Sequence, residues 1–272
     1  FEPKIEIRTI DGYCAKLYHM YHHEINHSSI KEISISEYGI YAEKILKKFG
    51  HIICNNYKFL FFDEFQDINN IQFNIIKHFA NNKCNLVVIG DDNQNIYQWR
   101  GTDNQFIINF DNILKNTFTY NLSINYRSTD TIVNLANESI NYNKNRIDKN
   151  MISLVKNGNK PELIIYKNKK EEFDDIISKI MTLKQKYNYQ YSDFAILSRN
   201  NKNLKFFEEH LTKYNSDNDK EKKIFFNSLI DENDDSNNKP FIEKNKLTLI
   251  TIYKSKGLEW EIVFLIGLCN DL

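Results

Sequence analysis

The chain has 272 residues, 41% of them hydrophobic and 26% charged, which is globular composition with length for about two domains and a core in each. Lys plus Arg and Asp plus Glu both total 36, a formal net charge of zero; this excludes a protein that holds nucleic acid by bulk positive charge, but not one with a local basic groove. No run approaches the roughly 18 apolar residues of a membrane span, and no apolar leader follows Phe1-Glu2-Pro3-Lys4, so no membrane partner is expected.

Residues 11–26 and 36–49 space Tyr, Leu and Ile as helices do. Tyr57-Lys-Phe-Leu-Phe-Phe62 is an apolar run that stops at Asp63-Glu64, the pattern of a strand buried on both faces in a parallel sheet. Ile71, Ile75, Ile76 and Phe79 predict a helix over 69–81, and residues 85–90 a second buried strand ending at Asp91-Asp92. This strand–helix–strand order reads as a βαβ unit, whose ligands bind at the carboxyl ends of the strands. A second series follows a boundary near 112–118. Strands are expected near 118–124, 162–166, 193–198, 247–252 and 261–267, and helices over 129–142, 171–187 and 203–213. Residues 214–246, rich in Asn, Asp, Glu and Lys, read as a polar surface excursion with one short strand at Ile224-Phe225-Phe226.

Cys14, Cys54, Cys84 and Cys269 form no CxxC pair. Neither a zinc site nor a disulfide framework is expected, and a reducing, intracellular setting fits. Arginine occurs only at positions 8, 100, 127, 146 and 199 in a chain rich in Lys and Asn. Where a plain charge suffices Lys serves, so the surviving arginines point to places that need a planar, bidentate fork.

Four segments carry chemistry. In Phe61-Phe62-Asp63-Glu64-Phe65-Gln66-Asp67 a strand delivers two carboxylates, the Walker B arrangement. The first can hold Mg²⁺ and the second can orient or deprotonate an attacking water; a strand end with a solvated acidic turn gives the same pattern. In Gly90-Asp91-Asp92-Asn93-Gln94-Asn95-Ile96-Tyr97-Gln98-Trp99-Arg100-Gly101, Gln94 can sense a γ-phosphate. Tyr97, Trp99 and Arg100 suit stacking on unpaired bases, although core packing of the two aromatics is the alternative. Asn125-Tyr126-Arg127-Ser128, placed just after a strand, offers an Arg for a phosphate and a Tyr for a base, or a surface salt bridge. In the last segment, Thr248 to Trp260, the run Thr251-Ile-Tyr253-Lys254-Ser255-Lys256-Gly257 sets hydroxyl and lysine groups at a strand end, suited to phosphate. A tight turn with Gly257 at positive φ is the plainer reading.

Together and in this order the segments resemble the UvrD/Rep family of superfamily 1 DNA helicases. DEFQD resembles motif II, GDDNQNIYQWRG motif III, LSINYRST with Leu135-Ala136-Asn137 motif IV, and TIYKSKGLEW motif V. Ala195-Ile-Leu-Ser-Arg199 resembles the family's strand after motif IV. Arg8-Thr9-Ile10-Asp11-Gly12 resembles motif Ib, with Asp11 where the family usually has His; Tyr253 likewise replaces a His. The resemblance implies an α/β fold of two RecA-like parallel-sheet motor domains, 1–116 and 117–272, with ATP bound between them. It implies Asp63 as the Mg²⁺ ligand, Glu64 as catalytic base and Gln94 as the coupler of γ-phosphate to DNA. Tyr126 then stacks on adenine, Arg127 contacts the γ-phosphate and Glu259 the ribose. Thr9, Tyr97, Trp99, Arg100 and Thr251 face single-stranded DNA. A carboxylate at Asp11 repels phosphate, so no DNA contact is assigned there.

None of the eight glycines is followed by Lys, so the chain holds no GxxxxGK(S/T) loop, and it stops before the family's motif VI. With its non-Met start, the chain is expected to be a piece truncated at both ends and inactive alone. The implied activity is ATP-dependent, 3′-to-5′ movement on single-stranded DNA with unwinding at DNA junctions. Small insertions, between motifs Ib and II and again before motif V, imply a slim motor that works with a helicase partner or accessory protein. Alternatives are a helicase–nuclease subunit of the RecB or AddA kind, or a non-hydrolysing DNA-binding scaffold. The expected location is the nucleus, or the cytoplasm of a prokaryotic or viral host.

Overall fold

A computed structural model describes residues 5–25, 33–219, 222–230 and 243–268. The chain divides into two compact units, Phe1–Pro161 and Glu162–Leu272.

In the first unit, helix α1 (Ile10–Tyr21) starts at Thr9, whose Oγ1 accepts the Gly12 N–H at 3.0 Å, satisfying one orphan donor of the first turn. Asp11 sits in that turn, where the helix dipole favours a carboxylate. Helix α2 (Ile35–Cys54) begins with a capping box formed by Ser34 and Glu37. The two helices and α3 (Asn70–Asn81) bury Cys14, Leu17, Ile45, Leu46, Ile75 and Phe79 in one cluster. Strands β1 (Phe59–Phe62) and β2 (Asn85–Val88) pair in parallel, Phe59 opposite Asn85 through Phe62 opposite Val88. Leu60, Phe62, Leu86 and Val88 pack on Phe65, Ile68, Phe73 and Ile76. The other face of this pair is open: Phe59 and Phe61 are 57% and 67% exposed. The expectation of strands buried on both faces is therefore wrong for β1 and β2. Among the described residues they make a two-stranded sheet covered on one side only.

Short helices α4 (Gln105–Ile108) and α5 (Phe110–Ile113) follow, Phe106 stacking on Phe73 at 4.3 Å between ring centroids. Next come β3 (Ile124–Thr129), α6 (Asp130–Ile140) and β4 (Ile152–Val155), with β3 and β4 parallel. Two expectations need correction here. The strand expected over 118–124 begins only at Ile124, so Asn125 to Ser128 lie inside β3 rather than after it. Phe118, Tyr120 and Leu122 are exposed and outside any strand. Residues 162–166 form no strand either; β4 takes that place in the series.

The second unit holds α7 (Lys169–Tyr187), β5 (Phe194–Ser198), α8 (Asn201–Asp217), β6 (Phe226–Ser228), β7 (Leu247–Thr251) and β8 (Ile262–Ile266). The four strands make one all-parallel sheet in the order β6-β7-β5-β8. All five residues of β7 are buried, as a central parallel strand requires. The stretch expected as a surface excursion is partly core: α8 extends through Asp217, and Ile224 and Ile230, on either side of β6, are buried in one cluster with Leu247 and Leu249 of β7. Cys269, and residues 220–221 and 231–242 of the excursion, lie outside the described residues.

Candidate nucleotide and nucleic-acid site

The apolar run of β1 ends where Asp63 and Glu64 leave the strand, both exposed. Glu64 sits in the left-handed region at φ 55°, ψ 39°. A non-glycine residue held there costs about 1–3 kcal/mol, strain that collects at functional sites. The turn is held locally, because the Glu64 N–H donates to Asp63 Oδ1 at 2.9 Å. It is also held by the sheet: Phe65 N–H donates to the Ile89 carbonyl and Ile89 N–H to the Phe62 carbonyl.

Gln66 then joins the ends of the two strands. Its side chain is buried, 1% exposed. Nε2 donates to Glu64 Oε2 at 2.7 Å, and Oε1 accepts the Asp91 N–H at 3.0 Å. Its carbonyl accepts from Asn95 Nδ2 at 2.8 Å. The fit leaves no room at Gly90, where a Cβ would stand 2.5 Å from Gln66 Oε1 and 2.9 Å from Ile107 Cδ1. One buried amide thus fixes the acidic turn after β1 against the loop after β2. Nothing in the sequence around Gln66 signals this role, since a glutamine two residues past an acidic pair reads as surface.

That loop opens with Asp91 capping a single 3₁₀ turn, Asp92–Gln94. Asp91 Oδ1 accepts the Asn93 N–H, and Oδ2 accepts Gln94 Nε2 at 2.9 Å. Lys149, from the segment before β4, donates to Asp91 Oδ1 at 2.7 Å and also to Asp92 Oδ1. The Asp92 carboxylate is fully buried and takes a second donor, the Ile147 N–H, at 2.8 Å. Burial pushes the Asp91 carboxyl up, but the Lys149 ammonium and the Gln94 amide outweigh it and hold it below the usual range. Burial likewise opposes the charge on Lys149, and the two carboxylates more than restore it.

Beyond the turn, Asn95 Oδ1 accepts from Tyr97 N–H at 3.3 Å and Thr102 Oγ1 at 3.0 Å, while Asp103 N–H ties the loop to the Ile68 carbonyl. On this fixed base Arg100 lies over two rings, 4.6 Å from the Trp99 centroid and 5.6 Å from that of Tyr97. Trp99 is 64% exposed, so core packing is excluded for it; Tyr97 is half-buried. An open indole beside a guanidinium is a platform for stacking an unpaired base. Thr9 is exposed but already accepts the first-turn N–H of Gly12, which leaves its hydroxyl proton as the donor for an outside group.

In β3, Tyr126 is 71% exposed and Arg127 is exposed. Asn125 Oδ1 accepts from the N–H of Arg127 at 3.1 Å and of Ser128 at 2.8 Å. Those two N–H groups are thereby taken from the strand ladder, and the register of β3 against β4 shifts between Asn125 and Thr129. The bulge presents Tyr126 and Arg127.

In the second unit, Thr251 closes β7 and is 8% exposed. Its Oγ1 accepts the Lys254 N–H at 3.3 Å, and its carbonyl accepts the Ser255 N–H at 3.0 Å. Gly257 completes the turn at φ 80°, as the plainer reading of that segment has it, and Glu259 is exposed beyond. The structure thus brings Asp63, Glu64 and Gln94 into one hydrogen-bonded assembly through Gln66 and Asp91. Thr251 and Glu259 belong to the other unit. Among the described residues no three His, Cys, Asp or Glu side chains cluster as a metal cage. The exposed Asp63 carboxylate still fits Mg²⁺, which keeps most of its waters and takes only one or two protein carboxylates.

Residues 7–115 match the model of the UvrD/REP helicase N-terminal domain. Residues 120–227 and 213–272 match that of the UvrD-like helicase C-terminal domain. Among curated relatives, the ATP-dependent DNA helicase Rep of Buchnera aphidicola subsp. Baizongia pistaciae is 38% identical over 58% of this chain and 23% of its own. The ATP-dependent DNA helicase PcrA of Leuconostoc citreum is 38% identical over 58% and 21%. A probable DNA helicase II homolog of Mycoplasma capricolum is 34% identical over 75% and 28%. The chain spans about a quarter of the length of these relatives. All three are bacterial and give the nuclear location no support. Among the described residues no helix is long and apolar enough to cross a membrane.

Proposed function

The chain belongs to the UvrD/REP helicase family, and from that premise we propose that it is motor sequence of an ATP-dependent DNA helicase, one that moves 3′-to-5′ on single-stranded DNA and opens duplex at junctions. The observation that supports this best is the Gln66 bridge. It ties the turn carrying Asp63 and Glu64 to the loop carrying Gln94 and the Trp99–Arg100 platform. A nucleotide-sensing residue and a base-stacking surface then share one short, internally bonded loop.

In this reading Asp63 holds Mg²⁺, directly or through water. Bound there, Mg²⁺ would draw off the charge that develops on the transferred phosphoryl group. Glu64 orients and deprotonates the attacking water, with Gln66 fixing its carboxylate. Gln94 exchanges its bond to Asp91 for one to the γ-phosphate, Arg127 neutralises that phosphate, Tyr126 covers adenine and Glu259 accepts from the ribose. Single-stranded DNA runs over Tyr97, Trp99 and Arg100 and is touched by Thr9; in the second unit, Thr251 serves DNA through the turn its hydroxyl holds. We place the division between motor domains at 116/117, where the motif series changes. By packing, β3, α6 and β4 nevertheless lie in the first compact unit.

The test is ATP hydrolysis by the full-length protein with and without single-stranded DNA. Glu64→Gln is expected to lower the DNA-stimulated kcat by about 10²–10⁴-fold while ATP binding persists. An unchanged rate removes Glu64 from the chemistry. A parent protein that binds DNA but hydrolyses no ATP is a scaffold and refutes the motor.

A further inference from the structure

Lys149 lies outside every motif, yet it pairs with Asp91 and Asp92 of the segment that resembles motif III. We propose that Lys149 is a positioning residue that couples Gln94 to the strand carrying Tyr126 and Arg127, an inference that rests on the helicase reading above. Both oxygens of Asp91 are engaged: Oδ2 accepts Gln94 Nε2, and Oδ1 takes Lys149 Nζ at 2.7 Å. On the reading above, Gln94 turns from Asp91 toward a phosphate, and the bond to Asp91 resists that turn. A carboxylate already neutralised by an ammonium is a weaker acceptor, so Lys149 sets how readily that bond is given up.

The lysine also has a fixed route to β3. Two residues, Asn150 and Met151, separate it from the start of β4 at Ile152. Between them, Met151 exchanges two hydrogen bonds with Asn137 of α6, Asn137 Nδ2 to its carbonyl at 2.9 Å and its own N–H to Asn137 Oδ1 at 3.1 Å. Asn125 Nδ2 reaches Met151 Sδ at 3.8 Å, and Asn125 Oδ1 receives the Arg127 N–H. Hydrogen bonds and the backbone from Lys149 to Met151 thus join the Gln94 amide to the backbone of Arg127, a physical connection whose coupling energy a variant series measures. The anchor does not slip, because the Asp92 carboxylate is fully buried and answers both Lys149 and the Ile147 N–H.

The experiment compares Lys149→Met, Lys149→Arg and the exposed control Lys156→Met in the full-length protein. It reads kcat with and without single-stranded DNA, KM for ATP, and melting temperature. Lys149→Met is expected to cut the DNA stimulation of kcat about tenfold, with DNA-free hydrolysis and KM within about twofold. Lys149→Arg is expected to restore most of it, and Lys156→Met to match the parent. Removing the lysine leaves Asp92 buried and uncompensated, so the double variant Lys149→Met/Asp92→Asn, which removes the stranded charge, accompanies it. It is expected to melt near the parent and still lose stimulation. Full stimulation in that folded double variant overturns the proposal, as does an equal fall of DNA-free and DNA-stimulated rates. A parent with no DNA-stimulated hydrolysis overturns the helicase reading and this inference with it; a stimulated parent with a stimulated Lys149→Met overturns this inference alone.

Discussion

Gln66 and Gly90 depend on each other more closely than their spacing suggests. The buried amide takes the Asp91 N–H only because position 90 has no side chain. Gly90→Ala places a methyl at 2.5 Å from Oε1 and 3.2 Å from the Gln66 backbone nitrogen. Neither neighbour yields freely: the oxygen is one end of a two-ended bridge and the nitrogen belongs to the main chain. Overpacking of this kind costs about 1–3 kcal/mol, so denaturant melts of Gly90→Ala are expected to fall by that amount. Hydrolysis is expected to fall further than the loss of folded protein explains, because the displaced Gln66 releases Glu64. A variant with parental stability and rate would mean that the amide has slack the geometry does not reveal. Asp63 and Glu64 were legible because they follow a strand directly, and Gln94 because it lies in the loop after the next one, where chemistry collects. Gln66 and Lys149 were silent: a buried glutamine reads as surface in composition, and Lys149 meets Asp91 across 58 positions of sequence.

Elements were legible where polarity and burial agree. Strands expected at 193–198 and 247–252 are found as β5 and β7, and both are largely buried. Strand β1 is an apolar run yet leaves Phe59 and Phe61 open, since a run shows what a strand can bury and not what covers it. Strand β4 carries no strand signal in the sequence because its polarity is inverted. Ser153 is 3% exposed while Ile152 and Leu154 are 60% and 56% exposed. The serine hydroxyl donates to the Ser128 carbonyl at 2.7 Å, and its oxygen accepts the Val155 N–H at 3.0 Å. The β3 bulge is built the same way, from a side chain that substitutes for ladder bonds. Asn125→Ala removes the acceptor for two backbone N–H groups and is expected to destabilise the first unit by about 1–3 kcal/mol. Asn125→Asp keeps that acceptor and is expected to stay close to the parent. Equal melting of all three proteins would assign the bulge to the backbone alone.

Across the whole molecule, ionisation limits stability from both sides, although the formal charge is zero. On the acid side, hydrogen bonds from Lys16 and Arg8 draw the Glu6 carboxyl down from 4.5 to about 2. Asp91 is lowered as well, the Lys149 ammonium overcoming its burial, and in the second unit Asp175 is lowered by Tyr166 and Lys179. A carboxyl with a depressed folded pKa gives stability that is present above its unfolded value and lost as pH falls toward the folded one. Stability should therefore decline below about pH 4.5. On the alkaline side burial pushes the thiols of Cys14 and Cys54 up to about 12 and about 11, from 9.0. The unfolded chain ionises them first, so the stability they contribute is whole below pH 9.0 and is lost as pH rises through the folded values. Melting temperature against pH is expected to show a plateau between these limbs. Glu6→Gln should flatten the acid limb and leave the other unchanged, and Cys54→Ala, once its own cavity cost is subtracted at pH 7, should flatten only the alkaline one. If Cys54→Ala instead shifts the curve downward by the same amount at every pH, the thiol is packing alone and its ionisation takes no part in alkaline unfolding.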